Sequence, residues 1–143
     1  MRAIEEGRGL EKLLKLAKAR VDEETIRIGD LEMARKNVAA SIEALDAKIM
    51  TEQRVAATDA RIMMDLKNFL DGAAGKRLTL LSTLDGLAEE ISNGETDLAT
   101  AFTEMKKLEH LIDLAHDNKK RQSAKFELEQ LDEAASRLNA ARR

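Results

Sequence analysis

The stretch LEKLLKLAKARVDEETIRIGDLEMARKNVAASIEALDAKI, residues 10–49, decides the fold class. Steps of four and three residues in alternation lead from Leu10 to Leu14, Ala17, Val21, Glu24, Ile28, Leu31, Arg35, Val38, Ile42, Leu45 and Ile49. The same steps continue through Glu52, Ala56, Asp59, Met63, Leu66 and Leu70. All of these are apolar except Glu24, Arg35, Glu52 and Asp59. An apolar residue every 3.5 positions is the repeat of a coiled-coil seam, because it keeps one stripe against a partner helix as the two supercoil. A helix on a globular core carries a broader stripe over a shorter run. The spacing predicts one helix over about residues 10–70.

Composition agrees. The 143 residues include no proline, and 36% are charged. A long helix tolerates no interior proline, which removes a ladder hydrogen bond and clashes with the preceding turn. Phe69, Phe102 and Phe126 are the only aromatic residues, too few for a large globular core. A net charge of −3 with both signs mixed along the chain argues against a general nucleic-acid or membrane-surface binder. The absence of cysteine excludes disulfides and thiolate chemistry, and fits a reducing compartment. No apolar run reaches the roughly 20 residues of a membrane span, and the first residues lack the apolar stretch of a signal peptide. The expectation is a cytoplasmic protein without direct membrane insertion.

The pattern halts at Asp71-Gly72-Ala73-Ala74-Gly75-Lys76-Arg77, where Gly72 is placed for a left-handed helix cap. A second seam then runs Leu81, Leu84, Ala88, Ile91, Glu95, Leu98, Phe102, Met105. After a one-residue slip it reaches Leu108, Ile112 and Ala115, fades, and returns as Leu128, Leu131, Ala135 and Leu138. The expected fold is all-α: two long helices forming an antiparallel coiled-coil hairpin, a single domain over residues 1–143. Helix 1 covers about 10–70, the turn about 71–77 and helix 2 about 78–140. In that register Leu10 meets Leu138, Ala17 meets Leu131, Val21 meets Leu128, and Glu52 lies near Glu95. A rival bend at Ser92-Asn93-Gly94-Glu95 would leave the first forty residues without a partner helix.

No constellation speaks for catalysis. His110 and His116, with Asp113 and Asp117, have spacings that can serve a metal, but histidines six apart project from different sides of a helix. Paired carboxylates such as Glu23-Glu24 and Glu89-Glu90 need a walled pocket to act as acid and base, and a two-stranded coil offers none. The serines have no histidine base in reach, and Gly7-Arg8-Gly9 is too short to cradle phosphate. No cofactor is implied. The basic run Lys119-Lys120-Arg121 with Lys125 reads either as a contact for an anionic partner or as an internal partner of Asp22-Glu23-Glu24, the second being favoured. Met64, with Phe69, Leu70, Leu78, Leu80 and Leu81, makes the expected hairpin tip apolar enough to dock something, or to cover itself.

The N-terminal stretch RGLEKLLKLAKARVDEETIRIGDLEMA and the C-terminal stretch FTEMKKLEHLIDLAHDNKKRQSAKFELEQLDEAASRLNAARR together resemble the FliJ family of flagellar type III export proteins. The resemblance spans nearly the whole chain and is strongest over Phe126-Glu127-Leu128-Glu129-Gln130-Leu131-Asp132-Glu133. It implies a non-catalytic protein similar to the central stalk of rotary ATPases, located in the cytoplasm and peripherally associated with the inner-membrane export apparatus. The joined ends of the hairpin would enter the hexameric export ATPase, the far end would reach the membrane protein of the export gate, and export chaperones are further partners. Position on the expected hairpin puts Leu10, Lys12, Leu13, Leu14, Lys15, Leu131, Arg137 and Leu138 at the ATPase end. It puts Phe69, Leu70 and Leu78 at the gate end. The rival reading is a homodimeric coiled-coil scaffold unrelated to export.

Overall fold

The computed structural model describes the backbone of residues 2–142 and the side chains of 7–59 and 61–142. Helix α1 spans Arg2–Thr58, a single 3-10 turn follows at Ala60–Ile62, and helix α2 spans Met63–Arg142. Among the described residues there is no strand, so the chain is an all-α helical hairpin. Its contacts divide into two compact units, one of Asp22–Ala99 and one joining Met1–Val21 to Thr100–Arg143.

The first unit holds the bend, which lies at residues 59–62 and not at 71–77 as the glycines suggested. Asp59 makes the bend. Its carboxylate accepts the Arg61 N–H at 3.0 Å, and its carbonyl accepts the Ile62 N–H at 3.2 Å. A short acid with non-helical backbone that receives the second amide of the next element is an N-cap. The Asp59 N–H in turn donates to the Ala56 carbonyl at 3.3 Å and closes the end of α1.

Gly72 and Gly75 are interior residues of α2, with no positive φ and with open space where a Cβ would stand. Each weakens the helix by ~1 kcal/mol relative to alanine, which is too little to end it. The seam runs straight through them. Stepping by four and three from Leu66 gives Leu70, Ala73, Arg77, Leu80, Leu84, Leu87, Ile91, Gly94, Leu98, Ala101, Met105, Leu108 and Ile112, each buried or half-buried. The expected second seam lay half a step aside, because Ala88, Glu95 and Phe102 were chosen over Leu87, Gly94 and Ala101. Ala88, Glu95 and Phe102 are exposed, and the slip near Met105 does not exist. Glu95 therefore leaves the interface that was expected to press it against Glu52.

On α1 the expected seam stands. Every position from Leu10 to Ala56 is buried or half-buried except Arg35. Ile42, Leu45, Ala56, Ala73 and Ile91 form the core of the first unit. Three contacts there fix the antiparallel register. Arg77 Nε donates to Asp46 Oδ1 at 2.9 Å, Arg27 lies 3.8 Å from Asp97, and Lys48 stands 5.6 Å above the Phe69 ring. Gly94 belongs to the packing and makes no bend. A Cβ there would sit 3.1 Å from Ile28 Cγ1, so the missing side chain is the space that Ile28 occupies.

In the second unit the beginning of α1 packs on α2, where Ile112 is the last half-buried residue. Arg20 meets Glu104 at 3.5 Å. Leu10 lines one groove with Ile112 and Ala115. From Asp113 to Arg142 every residue of α2 is exposed. The expected pairs Leu10 with Leu138, Ala17 with Leu131 and Val21 with Leu128 do not form, because moving the bend toward the N-terminus shortens the arm available to α2.

Candidate partner-binding surfaces

Residues 113–142 extend α2 by roughly 45 Å at 1.5 Å per residue. All of them are exposed, although Ala115, His116, Asn118, Lys119 and Gln122 line a groove with Gly7, Arg8, Leu10 and Glu11. Phe126, Leu128, Leu131 and Leu138 are all large, apolar and exposed, with 66% of Leu131 accessible. A helix end that carries such groups with no intramolecular partner is a surface awaiting one.

Charge on this segment is blocked. Lys119, Lys120, Arg121 and Lys125 precede Glu127, Glu129, Asp132 and Glu133. Among the described residues these groups make one ion pair, Arg137 to Glu133 at 3.8 Å. The internal pairing of the basic run with Asp22-Glu23-Glu24 is not made. Lys119 instead lines a groove of about 390 Å³ with Gly7, Arg8, Leu10, Glu11 and His116. Glu24 is a half-buried seam residue 3.8 Å from Arg27 on its own helix. His110 and His116 are exposed, and among the described residues no group of three or more His, Cys, Asp and Glu could hold a metal ion.

The residues expected at the ATPase end are not all brought together. Leu10 and Leu14 are half-buried on the seam, while Lys12, Leu13 and Lys15 face outward. Leu131 lies roughly 28 Å farther along α2 than Ile112, the last seam residue near Leu10, and Arg137 and Leu138 lie beyond it. The free end of α2 is thus a separate surface. In the unit that holds the bend, Phe69 and Leu70 are half-buried, and Phe69 is already under Lys48. Leu78 is exposed but far along α2 from the bend. Among the described residues, the large apolar groups exposed near the bend are Val55, Met63 and Met64, the last 79% accessible. Met64 had been singled out in the sequence; Met63 had been assigned to the seam.

Among the described residues, Asp46 and Arg77 have a displaced titration. The hydrogen bond from Arg77 holds the Asp46 carboxyl below its usual range, partial burial works against it, and the guanidinium charge adds to the lowering. The same bond raises Arg77. Arg77 had been placed in the turn, and its true role was hidden because a cation at a seam position looks like a break. No helix is long and apolar enough to cross a membrane among the described residues.

The surfaces so described suit recognition of a partner. The family model described as the flagellar FliJ protein matches residues 7–143. Neither the curated proteins nor the solved structures gave a match.

Proposed function

The chain belongs to the FliJ family, a non-catalytic component of flagellar protein export, and from that premise we propose that it is a stalk-like subunit whose free α2 end binds the hexameric export ATPase. The observation that carries this reading is the uncovered segment 113–142 with Leu128, Leu131 and Leu138 in water. Full burial of one such side chain against a partner is worth about 1.5–3 kcal/mol, so three leucines on one segment suffice for specific docking. Arg137 would flank this contact, while Lys12, Leu13 and Lys15 on α1 would make a separate contact with the same ring.

The mechanism is one of symmetry. A single helix inside a six-fold ring cannot touch six subunits alike. It stabilises some subunit conformations over others, and a ligand shifts an equilibrium by its differential affinity for the states. Passing such a bias on to the export gate is a coupling between two sites. The bend would face the gate, with Met63 and Met64 as its contact in place of Phe69 and Leu70, which the hairpin itself uses. Export chaperones are additional partners for the exposed faces. The work is done at the cytoplasmic side of the inner-membrane apparatus, without cofactor, metal or nucleic acid.

A pull-down with a flagellar export ATPase tests the reading. Wild type is expected to be retained and to change ATP turnover, and Leu131→Asp to lose both effects while keeping its helicity. Failure of the wild-type chain to bind or to alter turnover overturns the proposal.

A further inference from the structure

We propose that the free end of α2 also pairs, antiparallel, with the same segment of a second copy of this chain over residues 117–142. The segment carries its own seam. Ala124, Leu128, Leu131, Ala135 and Leu138 follow one another at steps of four, three, four and three. This is the repeat that joins α1 to α2 elsewhere, and here every member is exposed.

The charges beside this seam choose the partner and the direction. Lys125 and Asp132 follow Ala124 and Leu131 by one residue, so both lie on the same flank. Lys120, Glu127, Ala134 and Ala141 occupy the other flank. In an antiparallel pair, like flanks meet. In the register that sets Leu128 against Leu131 of the second copy, Lys125 faces Asp132, and two-fold symmetry makes each contact twice. Ala124 faces Ala135. On the other flank Glu127 faces Ala134 and Lys120 faces Ala141, so no like charges meet. Arg121 falls opposite Leu138, where its aliphatic stem covers the leucine and its head reaches water.

A parallel in-register pair would do the reverse. Unlike flanks then meet at a spacing of five residues, and Lys120 would face Lys125 while Glu127 would face Asp132. Like charges at every flanking contact disfavour that arrangement. Among the described residues, Lys120, Lys125, Glu127 and Asp132 have no ion pair within the chain, so they are available. The seam has little more than two heptads, which makes the association weak and dependent on concentration. It would cover the leucines assigned above to the ATPase, a competition that rests on that reading, whereas the self-association itself does not.

Sedimentation equilibrium of the full chain, from roughly 1 μM to 1 mM, reads the proposal directly. The mass should rise from 15.9 kDa toward twice that value. Leu128→Asp should remain monomeric with unchanged helicity, because Leu128 is exposed in the single chain. Lys125→Glu alone and Asp132→Lys alone should each weaken association by about tenfold, since each places like charges at two contacts. The two single variants mixed together, or the double variant Lys125→Glu/Asp132→Lys, should regain the wild-type constant. A wild-type chain monomeric throughout overturns the proposal. So does a dimer that survives Leu128→Asp, or single variants that fail to complement each other.

Discussion

Replacing Gly72 or Gly75 by alanine distinguishes a bend from a helix interior at single-residue resolution. Both have helical backbone and open space around the missing Cβ. Each substitution is expected to raise stability by up to ~1 kcal/mol, read as a higher urea midpoint; a glycine that capped a helix in left-handed conformation would lose stability instead. Gly94 behaves differently. Alanine there gains helix propensity but meets Ile28 at 3.1 Å, and leucine has no room, so Gly94→Leu is expected to destabilise by about 1–3 kcal/mol. Asp46 gives a pH signature. Its carboxyl titrates below its usual range because Arg77 bonds to it. The folded state therefore holds the proton less tightly than the unfolded state. The stabilisation is fully present above the ordinary carboxylate value and is lost as pH falls through the lowered one. Asp46→Asn should be less stable than wild type at about pH 7, and the gap should close at about pH 2.

At the scale of elements, the bend and the core respond to different substitutions. Asp59→Ala removes the cap that opens α2 and should cost about 1 kcal/mol without changing helical content. Ile91 is 5% accessible in the core of its unit, and Ile91→Ala should cost about 2–4 kcal/mol by loss of transfer energy and the cavity left behind. Both are read from chemical denaturation. The α1 helix was legible because Leu10 to Ala56 repeat without a slip. The beginning of α2 was not, because Ala73, Arg77, Gly94 and Ala101 sit on its seam without looking hydrophobic. Small residues there admit bulky ones opposite, as Gly94 admits Ile28, and such complementarity exists only between two helices. Asp59 offered a signal that could have been used: of the four polar residues on the seam it alone is a good N-cap.

For the whole molecule, the free end of α2 separates stability from binding. Leu131→Asp alters a side chain with no intramolecular neighbour on another helix, so the unfolding midpoint should move by less than about 0.5 kcal/mol, while retention on the export ATPase should be lost. A comparable fall in stability would place Leu131 inside the fold and remove it from the binding surface. The candidate residues near each chain end were readable as exposed or apolar in the sequence. Their grouping was not, since Leu10 and Leu131 were joined only by an assumed bend.

The sequence by itself determined that this is a proline-free, helical, coiled-coil chain of the FliJ family, because a 3.5-residue period and an amino-acid vocabulary are properties of one strand. Where the chain turns, which face of α2 meets α1, and how much of α2 is left over were decided only in three dimensions. An antiparallel pair can slide by whole heptads while keeping its leucines inward. The choice among those registers falls to the local Asp59 cap, which sets the bend, and to the Arg77–Asp46 bond and the fit of Ile28 over Gly94, which join residues far apart in the chain.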